Sequence, residues 1–141
     1  MRMITRRGPR SSRGTALVEM TIVLLLLMLI TLGAVEYGWM FLKQQQLTNA
    51  ARQASRLAST PDATTAQVTS QISTVMTSYG MGSTGYTATF TPADIATVPR
   101  GQSVKVQISV DYSKVTATNL TLLLPLPAKL SSTISMEKEG P

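Results

Sequence analysis

Along this chain the hydrophobic pattern changes period twice. Residues 20–35 carry no charge and present no polar face, and apolar character resumes in Trp39, Met40, Phe41 and Leu42. About 20 such residues make a helix long enough to cross a hydrocarbon core of about 30 Å. A helix apolar on every side meets lipid or a protein core, not water, so the pattern predicts a transmembrane helix over 15–42. After Lys43 the apolar positions Leu47, Ala50, Ala51, Ala54, Leu57 and Ala58 recur at helical spacing, with Gln44, Gln45, Asn49, Arg52, Gln53, Ser55 and Arg56 between them. That is an amphipathic helix extension over 43–59, a stalk leaving the membrane, and Gly33 and Gly38 are the points where the long helix from Thr15 to Ser59 can bend.

Thr60, Pro61 and Asp62 then read as a break and restart, with Thr60 as N-cap, Pro61 at the first helical position and Asp62 against the helix dipole. Val68, Ile72, Val75, Met76 and Tyr79 form the apolar face of a short second helix, which Gly80 ends. Beyond the turn region 80–85 the period drops to two. Tyr86, Ala88 and Phe90 alternate with threonines, and Val104, Val106, Ile108, Val110 and Tyr112 alternate with polar residues. Pro92 and the Pro99-Arg100-Gly101 turn connect these two strands. Residues 115–124 fit helix or strand equally, Pro125-Leu126-Pro127 interrupts them, and Leu130, Ser132, Ile134 and Met136 alternate as a third strand. The expected architecture is α+β: a long transmembrane-plus-stalk helix, a short second helix and a small antiparallel sheet in a domain over 60–141.

Charge sharpens the picture of the N-terminus. Of a net +6, Arg2, Arg6, Arg7, Arg10 and Arg13 all precede the first acid, Glu19, and the rest of the chain carries eight basic and seven acidic side chains. A nearly neutral domain lacks the electrostatic footprint of nucleic-acid binding, so no nucleic acid is expected as a partner. A basic stretch flanking an apolar helix stays on the cytoplasmic side, which makes 1–14 a leader and puts the C-terminal domain outside. An ordinary cleaved signal peptide has a shorter apolar core followed by small residues; here the run is longer and flows into Glu36, Tyr37 and Trp39.

Candidate chemistry is sparse. With no histidine and no cysteine, the commonest general base, metal ligand and thiol nucleophile are all missing. Asp62, Asp94, Asp111, Glu137 and Glu139 are scattered without metal-ligand spacing, and Gly80-Met81-Gly82-Ser83-Thr84-Gly85 joins a helix to a strand, the wrong order for a phosphate loop. No enzymatic activity, catalytic residue, metal or cofactor is expected. Two acids in the apolar region stand out instead. Glu19 lies four residues after the Gly14-Thr15 junction. It is either a headgroup-level residue at the start of the span or, after cleavage behind Gly14, the fifth residue of a mature chain, able to neutralise an amine in an assembly. Glu36 is a partner for Lys43, for Arg52 or Arg56 of a neighbouring subunit, or lies at the outer membrane interface beside Tyr37 and Trp39. The interface reading is preferred, because ion pairs in a wet boundary contribute little.

Taken together, a basic leader ending at Gly14, a start of Thr15-Ala16-Leu17-Val18-Glu19 and an immediate apolar helix resemble a type IV prepilin. More narrowly, Gly14 to Glu19, Gly33-Ala34-Val35-Glu36-Tyr37-Gly38 and the Leu47 to Arg56 segment with its Ala50-Ala51-Arg52 are similar to the TadE-like pseudopilins of tight-adherence pili. Met20 departs from the aromatic residue usual after that glutamate, which puts ring packing at that site in doubt. The resemblance implies a cut between Gly14 and Thr15 by a prepilin peptidase, and a role for Glu19 in processing or subunit docking. The expected function is that of a minor pilin or pseudopilin, a single-pass inner-membrane protein whose partners are other pilins and the pilus assembly platform. The alternative is a non-polymerising single-span anchor with an extracytoplasmic domain that binds a ligand or partner.

Overall fold

The computed structural model describes residues 12–118 and 125–139, with side chains from residue 14. Residues 1–11 of the expected leader and 119–124 of the helix-or-strand segment lie outside the described residues. The elements are α1 (Ser12–Ser59), α2 (Thr65–Ser78), β1 (Thr87–Thr91), β2 (Ser103–Asp111), a short 3₁₀ turn (Tyr112–Lys114) and β3 (Lys129–Glu137). The three strands form one antiparallel sheet in the order β1-β2-β3, so the fold is α+β, as the change of period predicts.

The chain divides into two compact units, Met1–Val35 and Glu36–Pro141. Residues 36–42, read from the sequence as the outer end of the span, group with the second unit. In the first unit the residues of α1 from Gly14 to Thr31 are exposed, Leu17 at 70% and Leu25 at 67%. Its two threonines beyond Glu19 hide their polarity, since Thr21 and Thr31 each donate to the carbonyl four residues back, Leu17 and Leu27, at 2.8 Å. An apolar exterior with its hydroxyls satisfied internally suits a hydrocarbon solvent, and α1 is long and apolar enough to cross a membrane.

In the second unit the remainder of α1 is a core helix. Leu47, Ala50, Ala51, Ala54 and Ala58 of the expected face are buried, and Leu57 is half-buried. Four alanines on one face let neighbouring elements approach the helix backbone closely, filling the space with Val68, Ile72, Val75 and Met76 of α2 and Val104, Val106, Ile108 and Val110 of β2. The sheet's outward positions align in rows: Thr87 with Ser109 and Ser131, Thr89 with Gln107 and Thr133, and Thr91 with Lys105 and Ser135.

The start of α2 differs from the sequence expectation. Thr60 does not cap it; its N–H and its hydroxyl both donate to the Leu57 carbonyl, closing the end of α1, while Ala63 turns into the core. The cap is Thr64, whose hydroxyl accepts from the Gln67 N–H while the Gln67 side chain accepts from the Thr64 N–H. This reciprocal box needs Glu or Gln three residues after the cap; Thr64 has Gln67 there, whereas Thr60 has Ala63. At the far end Gly80, at φ +69°, allows Met81 to donate to the Met76 carbonyl and Gly80 to that of Thr77, at 2.8 and 3.0 Å. Those two bonds satisfy carbonyls that a helix end otherwise leaves open.

Ala54→Leu inserts a branched side chain where nothing can retreat, and should lower the unfolding free energy by about 1–3 kcal/mol. Gln53→Leu, on the exposed neighbouring position, should be close to neutral. Chemical denaturation of the detergent-solubilised chain, followed by circular dichroism, measures both.

Candidate functional site

The first turns of α1 in the second unit hold the connection that leaves β2. Glu36 is fully buried. Its carboxylate accepts from the Tyr112 hydroxyl at 2.5 Å and the Thr116 hydroxyl at 2.5 Å on Oε1. On Oε2 it accepts from the Thr118 hydroxyl at 2.5 Å and the Thr118 N–H at 3.0 Å. Four donors from one seven-residue stretch thus converge on one side chain. A buried carboxylate is tolerated when its lone pairs are filled this way. Burial, and then the adjacent Glu36 carboxylate, hold the Tyr112 phenol above its ordinary value of 10.0.

Two neighbours extend the clasp. The Trp39 indole N–H donates to the Val115 carbonyl at 2.7 Å, and the Tyr37 hydroxyl to the Pro125 carbonyl at 3.4 Å. Lys43, one partner considered for Glu36, donates instead to the Tyr79 carbonyl at 3.1 Å and lies 5.0 Å from the Trp39 ring centre. Its ammonium therefore sits at the C-terminal end of α2, where the helix dipole favours a cation, and also over an aromatic face.

Of the residues singled out in the sequence, Glu36, Tyr37 and Trp39 are brought together by this clasp, whereas Gly14, Thr15 and Glu19 belong to the first unit, where each is exposed. A side chain on Gly14 would meet nothing within 4 Å. The residues the sequence did not reveal are Tyr112, Thr116 and Thr118. Tyr112 was legible only as the last inward position of β2, and the two threonines sit in a stretch with no period of its own.

A surface groove of about 480 Å³ runs between Asn49, Arg52, Gln53 and Arg56 of α1, Tyr79, and Ile134 and Met136 of β3. Arg52 and Arg56 are one turn apart and exposed on its wall. Among the described residues, no cluster of three or more His, Cys, Asp or Glu is arranged to hold a metal ion.

Glu36→Ala should lower the unfolding free energy by on the order of 3 kcal/mol, because three hydroxyls lose their acceptor together. Tyr112→Phe, which removes one donor, should cost about 1–2 kcal/mol. Trp39, the one tryptophan of the chain, reports both transitions by fluorescence. The alkaline limb carries a separate signature. The phenol's value is raised on folding, so the stability it contributes is intact below 10.0 and is lost as pH rises beyond that. Tyr112→Phe should flatten that decline in a denaturation series taken across pH 9–11.

The family described as TadE-like protein matches residues 14–56. The matched stretch opens at Gly14, spans the exposed apolar run, contains Glu36, Tyr37 and Trp39, and closes at Arg56 on the wall of the groove. No curated protein and no solved structure matches the chain.

Proposed function

We propose, from the match of residues 14–56 to the family described as TadE-like protein, that the chain is a minor pilin or pseudopilin of a tight-adherence pilus. It inserts with its arginine-rich N-terminus in the cytoplasm, is cleaved after Gly14 by a prepilin peptidase, and then passes from the bilayer into or onto a filament. What supports this reading is the family match, which opens at Gly14, the residue after which the proposed cut falls. Immediately beyond it comes an open helix of apolar side chains.

The mechanism is associative rather than catalytic. In lipid, residues 15–35 are solvated by acyl chains, and about 21 residues at 1.5 Å each match a core of about 30 Å. Cleavage removes all five leader arginines and leaves an amine on Thr15. Glu19 becomes the fifth residue of the mature chain, a carboxylate on an otherwise apolar surface. A charge in that setting is costly unless compensated, and in a bundle of such helices an amine of the same or a neighbouring chain compensates it. The second unit, its core closed by the C-terminal part of α1, is the extracytoplasmic body that makes lateral or tip contacts.

Mass spectrometry of the protein recovered from native membranes and sheared pili tests this directly. The expected mature N-terminus is Thr15, and an intact Met1 in both fractions would sink the prepilin reading in favour of a plain membrane anchor. Glu19→Ala should leave membrane insertion unchanged and abolish recovery in the pilus fraction. Normal incorporation of that variant would remove the compensation role.

A further inference from the structure

Among the described residues, every large hydrophobic side chain that is exposed falls between Leu17 and Leu42. Within the second unit these are Tyr37 at 37%, Trp39 at 37%, Phe41 at 64% and Leu42 at 46%. The apolar surface of this domain is therefore confined to the end where its helix begins. A soluble domain that covers its sheet with threonine, serine and glutamine has no reason of its own to leave four such side chains open at one place.

Those side chains do not stand alone. The bond from the Tyr37 hydroxyl to the Pro125 carbonyl brings a second segment to the same end, and there Pro125 and Pro127 are exposed while Leu126 is half-buried. Tyr37 and Trp39 both turn their polar atoms inward, onto the Pro125 and Val115 carbonyls, and keep part of their rings exposed. The position along the chain decides what meets them. Tyr37 is two residues beyond Val35, the last of the apolar run, which is about 3 Å of helix rise. The headgroup layer is about 5–7 Å deep on each side of the core. Tyr37 therefore starts within that layer, the depth at which tyrosine and tryptophan are enriched, and the Pro125 carbonyl is bonded to its hydroxyl.

We propose that this end of the domain is a second lipid-contacting surface: Tyr37, Trp39 and the Pro125–Leu126–Pro127 segment seat in the outer headgroup layer of the bilayer that residues 15–35 span. Before assembly the domain is thereby docked on the membrane through two separate segments of chain. This rests on the membrane-spanning reading of residues 15–35.

The chain has no cysteine, so single introduced cysteines carry a spin label without further changes. The full chain is placed in vesicles of phosphatidylethanolamine and phosphatidylglycerol, labelled in turn at Pro127→Cys, at Gln107→Cys on the outer face of the sheet, and at Leu27→Cys in the apolar run. The readout is collision with dissolved oxygen relative to a water-soluble nickel chelate. The expected result is a several-fold higher oxygen-to-nickel ratio at 127 than at 107, with 27 higher still. A label at 127 as aqueous as that at 107, while 27 stays lipid-like, overturns the proposal and leaves the span intact. Aqueous behaviour at all three positions overturns the span and the proposal with it. Shielding of 127 from both collision partners means a protein surface covers it, a second copy of the chain, and also overturns the lipid assignment. The unsubstituted chain provides a check that no variant can confound: lipids brominated near the headgroup should quench Trp39 more strongly than lipids brominated near the chain end. Equal quenching, or none, counts against the proposal.

Discussion

The second unit depends on a carboxylate that has left water and is met there by hydroxyl and amide donors. Glu36 fixes where the chain beyond β2 must go, because Tyr112, Thr116 and Thr118 are useful to it only if residues 112–118 fold back over the start of the domain helix. Once they do, the Val115 carbonyl is within reach of Trp39 and the Pro125 carbonyl within reach of Tyr37. Each such bond contributes modestly; leaving the carboxylate buried without them would cost several times more. The asymmetry makes the clasp a specification of register as much as a source of stability.

The same solution recurs at the domain's buried ammonium groups. Lys43 meets the Tyr79 carbonyl at the end of α2, and Lys138, buried at 4% exposure, meets the Ile95 carbonyl at 3.1 Å. The backbone around Lys138 continues the closure, with its N–H on the Gln102 carbonyl and the Glu139 N–H on the Ser59 carbonyl. By contrast, Lys129 and Asp111 form their ion pair at the surface, where water screens it. Interior charges here are held by main-chain and hydroxyl dipoles, which fix direction without requiring a second charge to be desolvated.

What the sequence made legible follows from periodicity. The face of Leu47, Ala50, Ala51, Ala54 and Ala58, the alternation of β2 from Val104 to Val110, and the Leu130 to Met136 strand are repeats that sidedness alone imposes. The cap of α2 at Thr64 was also encoded, in the Gln67 three residues on, but Thr60-Pro61-Asp62 offered a more conspicuous start signal and obscured it. The partners of Glu36 were not legible for a different reason. They come from 76 to 82 residues away in the chain, and no spacing rule links them. Read locally, an acid at the end of an apolar run beside tyrosine and tryptophan is an interfacial residue, and only the tertiary fold shows what its carboxylate holds. The helical face over 47–58 announced its burial by its period, and the second helix and the sheet expected to pack on it are what cover it.

The rows on the outside of the sheet carry a consequence for how this domain meets anything at that face. Of the nine side chains in the three aligned rows, Lys105 is the one that is charged, and the pairs at the two ends of the same face add Glu137 opposite Ser103 and the mutually compensating Asp111 and Lys129. Such a surface attracts or repels very little through Coulomb forces and exchanges hydrogen bonds with water at almost every position. Contacts made across it are governed by how well a partner replaces ordered water, and dissolved salt has little leverage over them.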